Sequence, residues 1–330
     1  MRRHGLATAV VLSVLSLCGQ PALAQNYPDK PVRLLLGNPP GGTTDIAARV
    51  LAEKMRDVLG QSFIVENRVG AGTQIATQAV SAARPDGHTL LYATAGVVTG
   101  PTLMKAWTID GTKDLTPISQ VAIGVNMVGA HPKQPYNTID EWIAYMKANP
   151  GKLNYANISA TDLVSFEMIK GAANVKYETV RFNGAVPAQN AVIAGQADFY
   201  AAPVGSLTRS LVQAGQIKLL GILATERSPM MPQVPSFGES ALPELRELAK
   251  FSGLGHYWFG LAGPKGLPRG IVDVVHGAAS KLLTDADYVK RVGDLGLVAS
   301  ATTPEAFTDL IIAERSRFAV EAKKAGVEPQ

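Results

Sequence analysis

The sequence predicts an α/β protein of two lobes, each built on a largely parallel sheet. Short aliphatic or β-branched runs alternate with amphipathic helical windows, a pattern typical of parallel sheets covered by helices. This alternation occurs in two separate series along the chain. The length of 330 residues also exceeds what one hydrophobic core usually organises.

The first series begins with a predicted strand over Val32–Leu36, followed by a helix over 46–59 with apolar residues on one face. A strand over 62–66, a helix over 73–83 and a strand over 89–93 follow. This order predicts the sheet of a first lobe.

The second series starts near 125–130, after which a capping box at Thr138 and Glu141 opens a helix that ends near Ala148. Further predicted strands and helices alternate here: strands over 153–155, 177–182, 198–201 and 218–223, and helices over 161–172, 187–194 and 206–214. They predict a second α/β lobe.

The last third of the chain is loop-rich after three prolines and then helical, over 271–283, 285–295 and 304–325. With no sheet of its own, this tail is expected to return to the first lobe. We therefore predict that lobe 1 comprises 25–124 and 228–330, and lobe 2 comprises 125–227.

The N-terminus predicts a signal peptide over 1–24. Arg2 and Arg3 precede a short apolar run, and small residues at Ala22 and Ala24 favour cleavage after Ala24. An uncleaved anchor is the alternative, but the run is shorter than a membrane-spanning helix needs. Cys18 is the only cysteine, so the mature chain is expected to have no disulfide.

Composition and motifs disfavour several classes of function. The formal net charge of +4 includes Arg2 and Arg3, and basic residues are scattered, which does not indicate nucleic-acid binding. The sequence carries no nucleophile elbow, zinc-protease motif or Walker motif, and its histidines are not spaced as metal ligands. We expect no catalytic residues, no cofactor and no metal.

A glycine-rich turn between a predicted strand and helix is the best candidate for a binding site. Its residues are Pro40, Gly41, Gly42, Thr43, Thr44 and Asp45. Glycines allow close approach of a ligand, and the free N–H groups of a helix N-terminus attract an anion. The alternative is an ordinary turn capped by Thr or Asp. The turn over 70–73, ending at Thr73, repeats this geometry at a neighbouring strand.

The chain from Tyr27 onwards resembles a known family, the Bug or TctC-like substrate-binding proteins of tripartite tricarboxylate transporters. The resemblance rests on short stretches found in the same order and at matching spacing: 27–32, 40–45 with Ala48 and Arg49, 60–61, 65–68, 70–72, 85–90, 147–152, 195–196, 232–239 and 260–261.

This resemblance implies a type II periplasmic binding fold, in which two lobes close on one ligand like a Venus flytrap. It implies a monomer in the periplasm that binds a small organic acid, such as a dicarboxylate, amino acid or aromatic acid, and delivers it to membrane transporter subunits. Position by position, it places residues 40–45, Thr94 and Gly184 at the ligand. For Asp45 we favour helix capping over ligand contact.

The second lobe departs from the family pattern. A glycine- and serine-rich turn followed by His is replaced here by a shorter segment with Asn157, Ser159, Thr161 and Asp162. Arg181 and Ala202 also replace usual residues, and both belong to the predicted site. We expect Asp162 to face a neutral or cationic end of the ligand, unless Arg181 offsets its charge. The alternative is that Asp162 only caps a helix.

Two other functional hypotheses are compatible with the same fold. The protein could present its ligand to a sensor kinase, and neighbouring genes would distinguish this role from transport. The other hypothesis is a periplasmic enzyme, but the sequence offers no catalytic nucleophile together with a general base.

Overall fold

The computed structural model describes residues 27–158, 160–182, 185–228, 230–250, 254–324 and 326–329 of the chain. The predicted signal peptide lies outside these residues, as do the predicted site residues Ser159 and Gly184.

The described residues form ten strands and eleven α-helices. The strands are β1 (Val32–Leu36), β2 (Phe63–Asn67), β3 (Thr89–Thr94), β4 (Leu115–Ala130), β5 (Asn154–Asn157), β6 (Glu178–Arg181), β7 (Phe199–Pro203), β8 (Lys218–Ile222), β9 (His256–Pro264) and β10 (Leu297–Ala299). The helices are α1 (Thr43–Leu59), α2 (Gln74–Ser81), α3 (Gly96–Leu103), α4 (Ile139–Ala148), α5 (Ala160–Ala173), α6 (Ala185–Ile193), α7 (Ser206–Gln213), α8 (Pro243–Ala249), α9 (Arg269–Lys281), α10 (Ala286–Asp294) and α11 (Pro304–Lys324).

In the first lobe, β1 pairs in parallel with β2 and β3, and β9 lies antiparallel between β3 and β4. Side chains alternate across β1, so that Leu34 and Leu36 pack against α1 and α9 while Leu35 packs on the opposite face with α2, α3 and α11. Helices therefore cover both faces of this sheet, as expected for a buried parallel sheet.

In the second lobe, β5 pairs in parallel with β6 and β7, while β7 and β8 flank β4 in antiparallel pairings. Its core is aromatic. The Tyr155 ring stacks on Phe166 with 4.1 Å between centroids, and Trp142 meets Phe199 edge-on at 5.0 Å. Such rings bury a large apolar area and favour these offset or edge-on arrangements.

The 16-residue strand β4 belongs to both lobes. Residues 115–125 pair with β9 in the first lobe, and residues 126–130 pair with β7 and β8 in the second. At the crossing, the Asn126 N–H donates to the Gly255 carbonyl at 2.9 Å. The two segments that connect the lobes therefore run side by side.

The return of the chain to the first lobe at residue 228 stays a prediction, and side-chain packing beyond this residue favours a later point. The buried side chains of Phe237, Leu245 and Leu254 lie in the apolar cluster of the second lobe together with Trp142. A division at residue 228 would separate these side chains from their core. We propose that lobe 2 extends from about residue 125 to about residue 255.

The predicted helices and strands before residue 225 agree with the structure to within a few residues, except that β4 begins ten residues before the predicted 125–130 and α3 was not predicted. No strand was predicted after residue 225, and the structure adds two: β9 lies in the middle of the first sheet and β10 pairs with β4. The cap of α4 is confirmed, because the Thr138 hydroxyl accepts from the Glu141 N–H at 3.2 Å.

Candidate functional site

A cavity of about 780 Å³ lies between the two lobes. It is called the interlobe cavity below. The first lobe contributes residues 38–44, 72–73 and parts of 94–104, and the second contributes parts of 158–165 and 185–187. Asn126 and residues 254–259 of the crossing segments complete it. Its volume suits a small-molecule ligand.

The N-terminus of α1 opens on this cavity. Gly42 is its N-cap, in an extended conformation, and no side chain among the described residues caps the helix. Pro40, Gly41, Gly42, Thr43 and Thr44 line the cavity, as the sequence predicted for this turn. The first-turn N–H groups and the positive end of the helix dipole are suited to an anion.

Asp45 is buried outside the cavity lining, although it belonged to the predicted site. Its carboxylate accepts from the Gly41 N–H at 3.0 Å, from Arg49 at 3.0 Å and from Asn67 at 2.9 Å. Burial alone would raise the pKa of Asp45, but these hydrogen bonds and the Arg49 charge outweigh it and hold the pKa at about 2. Asp45 therefore stabilises the turn by hydrogen bonds and does not line the cavity.

Two further predicted residues line the cavity at the ends of neighbouring segments. The Thr94 hydroxyl accepts from the Gly96 N–H at 3.4 Å. Thr73 has φ +83°, a left-handed conformation that is unfavourable for a β-branched residue. Glycines make room for it: a Cβ on Gly37 would lie 2.5 Å from the Thr73 Cβ, and one on Gly96 would collide with its hydroxyl.

The second lobe contributes the first turn of α5. Thr161, Asp162 and Ser165 line the cavity, and Asp162 is 8% exposed. Its Oδ1 accepts from the Asn126 side chain at 3.3 Å. The same helix touches the first lobe, because Val164 packs in the cluster that contains Phe307. The position of α5 is thus tied to both lobes.

Two other predicted residues of the second lobe, Asn157 and Arg181, are not among the described residues that line the cavity. Asn157 is buried outside the lining, with its Nδ2 3.5 Å from Tyr155 Oη. Arg181 lies at the exposed end of β6 and is not part of the lining. Ala202 stands in β7 opposite Met127. The predicted roles of Arg181 and Ala202 at the ligand stay predictions.

The sequence reasoning missed several residues that line the cavity, chiefly Asn38, Asn126 and the aromatic run of Tyr257, Trp258 and Phe259. Asn38 Oδ1 and Tyr257 Oη are buried, and neither has a hydrogen-bond partner among the described residues. Buried polar atoms normally have a partner, so these two atoms mark polar positions on an otherwise largely apolar surface. The Trp258 N–H instead donates to Glu314 at 2.7 Å.

The charge on the lining is sparse. Asp162 carries the one carboxylate among the described lining residues, and none of them is Lys or Arg. No group of three His, Cys, Asp or Glu side chains in the described ranges could hold a metal ion. Within those same ranges, no helix combines the length and apolar character needed to cross a membrane.

Two α/β lobes joined by adjacent crossing segments, with a cavity between them, define a two-lobed periplasmic binding protein fold. A family profile described as "Tripartite tricarboxylate transporter family receptor" (TctC) matches residues 47–324, and the chain belongs to this family. The family and the fold class thus agree with the resemblance and with the architecture predicted from the sequence.

Individual relatives match over nearly the whole chain. The protein BugT of Bordetella pertussis is 30% identical over 317 residues, which cover 93% of each chain. The structure of the periplasmic binding protein BugD is 31% identical, with a TM-score of 0.78 over 92% of this chain and 100% of that one. MatC from Rhodopseudomonas palustris, solved with bound malate, is 28% identical, with a TM-score of 0.76 over 89% and 99%.

Proposed function

We propose that this protein captures a small organic carboxylate in the interlobe cavity and delivers it to a membrane transporter. The observation that carries this proposal is the α1 N-terminus, where Thr43 and Thr44 line the cavity and no side chain among the described residues caps the helix. The bound malate of MatC supports the same ligand class. The family, one of solute receptors, supports binding over catalysis.

In this proposal, the two walls of the cavity contact different parts of the ligand. Residues 40–44 hold the carboxylate, with Thr73 and Thr94 beside them. Asp45 contributes by fixing the turn and not by contact. Asn126, Thr161 and Asp162 face the rest of the ligand across the cavity. Ser159 and Gly184 remain predicted contacts that lie outside the described residues.

A thermal-shift screen of organic acids tests the ligand class. A carboxylate at 100 times its dissociation constant should stabilise the folded protein by about 2.7 kcal/mol, which a chain of this size shows as a shift of several degrees. The amide of each hit serves as the uncharged control. If the amides bind as well as the acids, or if no acid binds, the carboxylate proposal is wrong.

The double variant Thr43→Val/Thr44→Val tests the location. Loss of hydroxyl hydrogen bonds to the ligand should raise the dissociation constant about three- to tenfold, measured by isothermal titration calorimetry. Thr179→Val, in β6 and outside the cavity lining, keeps the same chemical change and should leave affinity unaltered. Equal effects of the two changes would contradict the assignment.

We also propose export to the periplasm and a monomeric mature protein that begins at Gln25. The signal-peptide pattern of residues 1–24 supports export. N-terminal sequencing of protein from a periplasmic extract should find Gln25, whereas Met1 or a lipidated Cys18 would contradict cleavage. Loss of ligand uptake in cells that lack this gene would support delivery to a transporter, and unchanged uptake with a lost chemotactic or transcriptional response would favour the sensor role.

A further inference from the structure

The beginning of α6 presents three consecutive apolar residues to the interlobe cavity. Ala185, Val186 and Pro187 line the cavity and are exposed, and Val186 is 61% exposed. A single exposed apolar side chain is ordinary on a protein surface, but several in a concave site are typical of a ligand pocket. This part of the wall is therefore suited to an apolar part of a ligand.

The N-terminus of α6 differs in chemistry from that of α1, although both line the same cavity. Pro187 is the third residue of α6 and has no backbone N–H, so one donor that a helix N-terminus otherwise offers is missing. By contrast, the first turn of α1 has no proline and carries Thr43 and Thr44. The α1 end is thus the better anion site, and the α6 end offers mainly apolar contact.

Ile158 extends the apolar surface beside α6. It follows β5, is half-buried and lines the cavity. It packs against the apolar cluster that contains Ala188 and Val192 of α6, so it lies next to this helix. Outside the crossing segments, the polar side chains that the second lobe brings to the described lining come from another helix, α5. The apolar and polar parts of this wall thus come from different elements.

On the first lobe, Met104 brings apolar surface next to the proposed carboxylate site. It follows α3, is half-buried and lines the cavity. A Cβ on Gly72 would lie 2.9 Å from the Met104 sulfur, so the thioether packs on the residue that precedes Thr73. The flexible, unbranched side chain of methionine adapts to apolar groups of different shape. An apolar group can therefore lie close to a carboxylate held at the 40–44 turn.

We propose that Val186, Ile158 and Met104 form an apolar subsite, so that the ligand is a carboxylate with a hydrocarbon chain or an aromatic ring as its body. This inference rests on the proposed carboxylate-binding function. With the carboxylate at residues 40–44, the body of the ligand covers the exposed surface of Val186. Each methylene group buried in this way raises affinity about fourfold, whereas a hydroxyl at the same place loses its hydrogen bonds to water and gains none from these side chains.

Matched acids test the apolar subsite. Calorimetry would compare hexanoate, octanoate, benzoate and phenylacetate with the same acids carrying a hydroxyl at the far end, namely 6-hydroxyhexanoate, 8-hydroxyoctanoate, 4-hydroxybenzoate and 4-hydroxyphenylacetate. The apolar acid with the highest affinity should bind about fivefold tighter or more than its hydroxylated counterpart, and its structure shows whether the subsite takes a chain or a ring. A counterpart that binds as tightly would overturn the proposal.

The variant Val186→Thr assigns the preference to this wall. It exchanges a methyl group for a hydroxyl at nearly constant volume, and Val186 is exposed, so the variant is expected to fold with little change in melting temperature. The ratio of apolar-acid to hydroxy-acid affinity should fall about threefold or more. Val320→Thr is the control, because Val320 is a helical valine with 52% exposure outside the cavity lining; it should leave the ratio unaltered. An unchanged ratio in Val186→Thr would contradict the subsite.

The outcomes separate this inference from the proposed function. If no carboxylate of this panel or of the thermal-shift screen binds the wild-type protein, the proposed function itself fails. If only diacids or other polar acids bind, the carboxylate function stands and the apolar subsite alone is wrong.

Discussion

Asp45 illustrates how a residue can support a candidate binding site without lining its cavity. Its carboxylate joins the Gly41 N–H, Arg49 and Asn67 behind the turn whose other side lines the cavity. These contacts restrain the conformation of the turn. Preorganisation of this kind improves affinity because less conformational freedom is lost on binding.

We predict that Asp45→Asn destabilises the protein in a pH-dependent way. The pKa of Asp45 is depressed, so its contribution is present above its ordinary value of 3.8 and is lost as pH falls through about 2. At pH 7 the loss should be roughly 1 to 2 kcal/mol, discounted because Arg49 is half exposed. Urea unfolding at several pH values measures it.

The matched control for this prediction is Asp294→Asn, which removes an exposed i,i+4 partner of Lys290. It should change the free energy of unfolding by less than about 0.5 kcal/mol. A deficit of Asp45→Asn that persists undiminished at pH 2 would contradict the electrostatic explanation.

Thr73 carries backbone strain at the cavity wall. A non-glycine residue at φ +83° costs about 1 to 3 kcal/mol, whereas Gly adopts it freely but gives the unfolded chain about 0.4 to 1 kcal/mol more entropy. We predict that Thr73→Gly raises the melting temperature while weakening ligand binding. Thr99→Gly, inside α3, should instead lower the melting temperature. A loss of stability in Thr73→Gly would contradict the strain argument.

At the scale of elements, Glu314 of α11 connects the C-terminal helix to the cavity wall. Its carboxylate accepts from the Trp258 N–H at 2.7 Å, and the Trp258 ring packs edge-on against Phe307 at 5.1 Å. Burial raises the pKa of Glu314, and the hydrogen bond from Trp258 opposes the rise only in part.

We predict that Glu314→Gln flattens the pH dependence of stability. The pKa of Glu314 in the folded protein is raised above its ordinary value of 4.5. Between pH 4.5 and this raised pKa, the folded protein binds more protons than the unfolded chain, so wild-type stability falls as the pH rises through this range. Gln keeps an acceptor for Trp258 without the charge, so the variant should be the more stable protein at the upper end.

Thermal unfolding from pH 4 to 8 measures this effect, with Glu305→Gln on the same helix as the contrast. The pKa of Glu305 is lowered, chiefly by its hydrogen bond with Arg269, so its contribution is instead lost as pH falls. If the stability of the wild type relative to Glu314→Gln rose as the pH increased above 4.5, the assignment to Glu314 would be wrong.

The sequence predicted most elements because their patterns are local. The amphipathic face of α1 and the capping box of α4 are readable without knowing what they pack against. By contrast, α3 contains Gly96, Gly100 and Pro101, which have low helix propensity. It contacts α11, so its formation depends on tertiary packing that a local pattern does not contain.

The candidate site combines residues that carry a local sequence signal with residues that do not. The turn over 40–45 has glycines and threonines at a strand-to-helix junction, which is a local signal. Tyr257 and Trp258 belong to an aromatic strand, β9, that resembles ordinary core. Their place at the cavity follows only from the crossing of β4 and β9 between the lobes.

For the whole molecule, the two lobes also meet through their backbones beside the crossing segments. A Cβ on Gly296, before β10, would overlap the Val204 carbonyl oxygen after β7, and Gly296 has φ +83°. Only glycine permits this contact. The arrangement of the lobes near the crossing therefore depends on it.

We predict that Gly296→Ala both destabilises the protein and changes the arrangement of its lobes. Gly215→Ala is a matched control, since Gly215 has φ +65° and a Cβ placed there would have no heavy atom within 4 Å outside its chain neighbours. Both variants carry the left-handed backbone penalty of about 1 to 2 kcal/mol, but only Gly296→Ala adds a collision. Small-angle scattering should show a changed radius of gyration for Gly296→Ala alone, and identical profiles would contradict the prediction.

The single strand that serves both lobes has a consequence for how such receptors diversify. Because residues 126 and 255 are hydrogen-bonded neighbours, everything between them is one continuous insertion whose ends meet. Recombination at these two points would exchange the wall that the second lobe contributes to the cavity, Asp162 included, and keep the turn over 40–45. A chimera that takes residues 126–254 from a diacid-binding relative should fold and inherit the donor's selectivity.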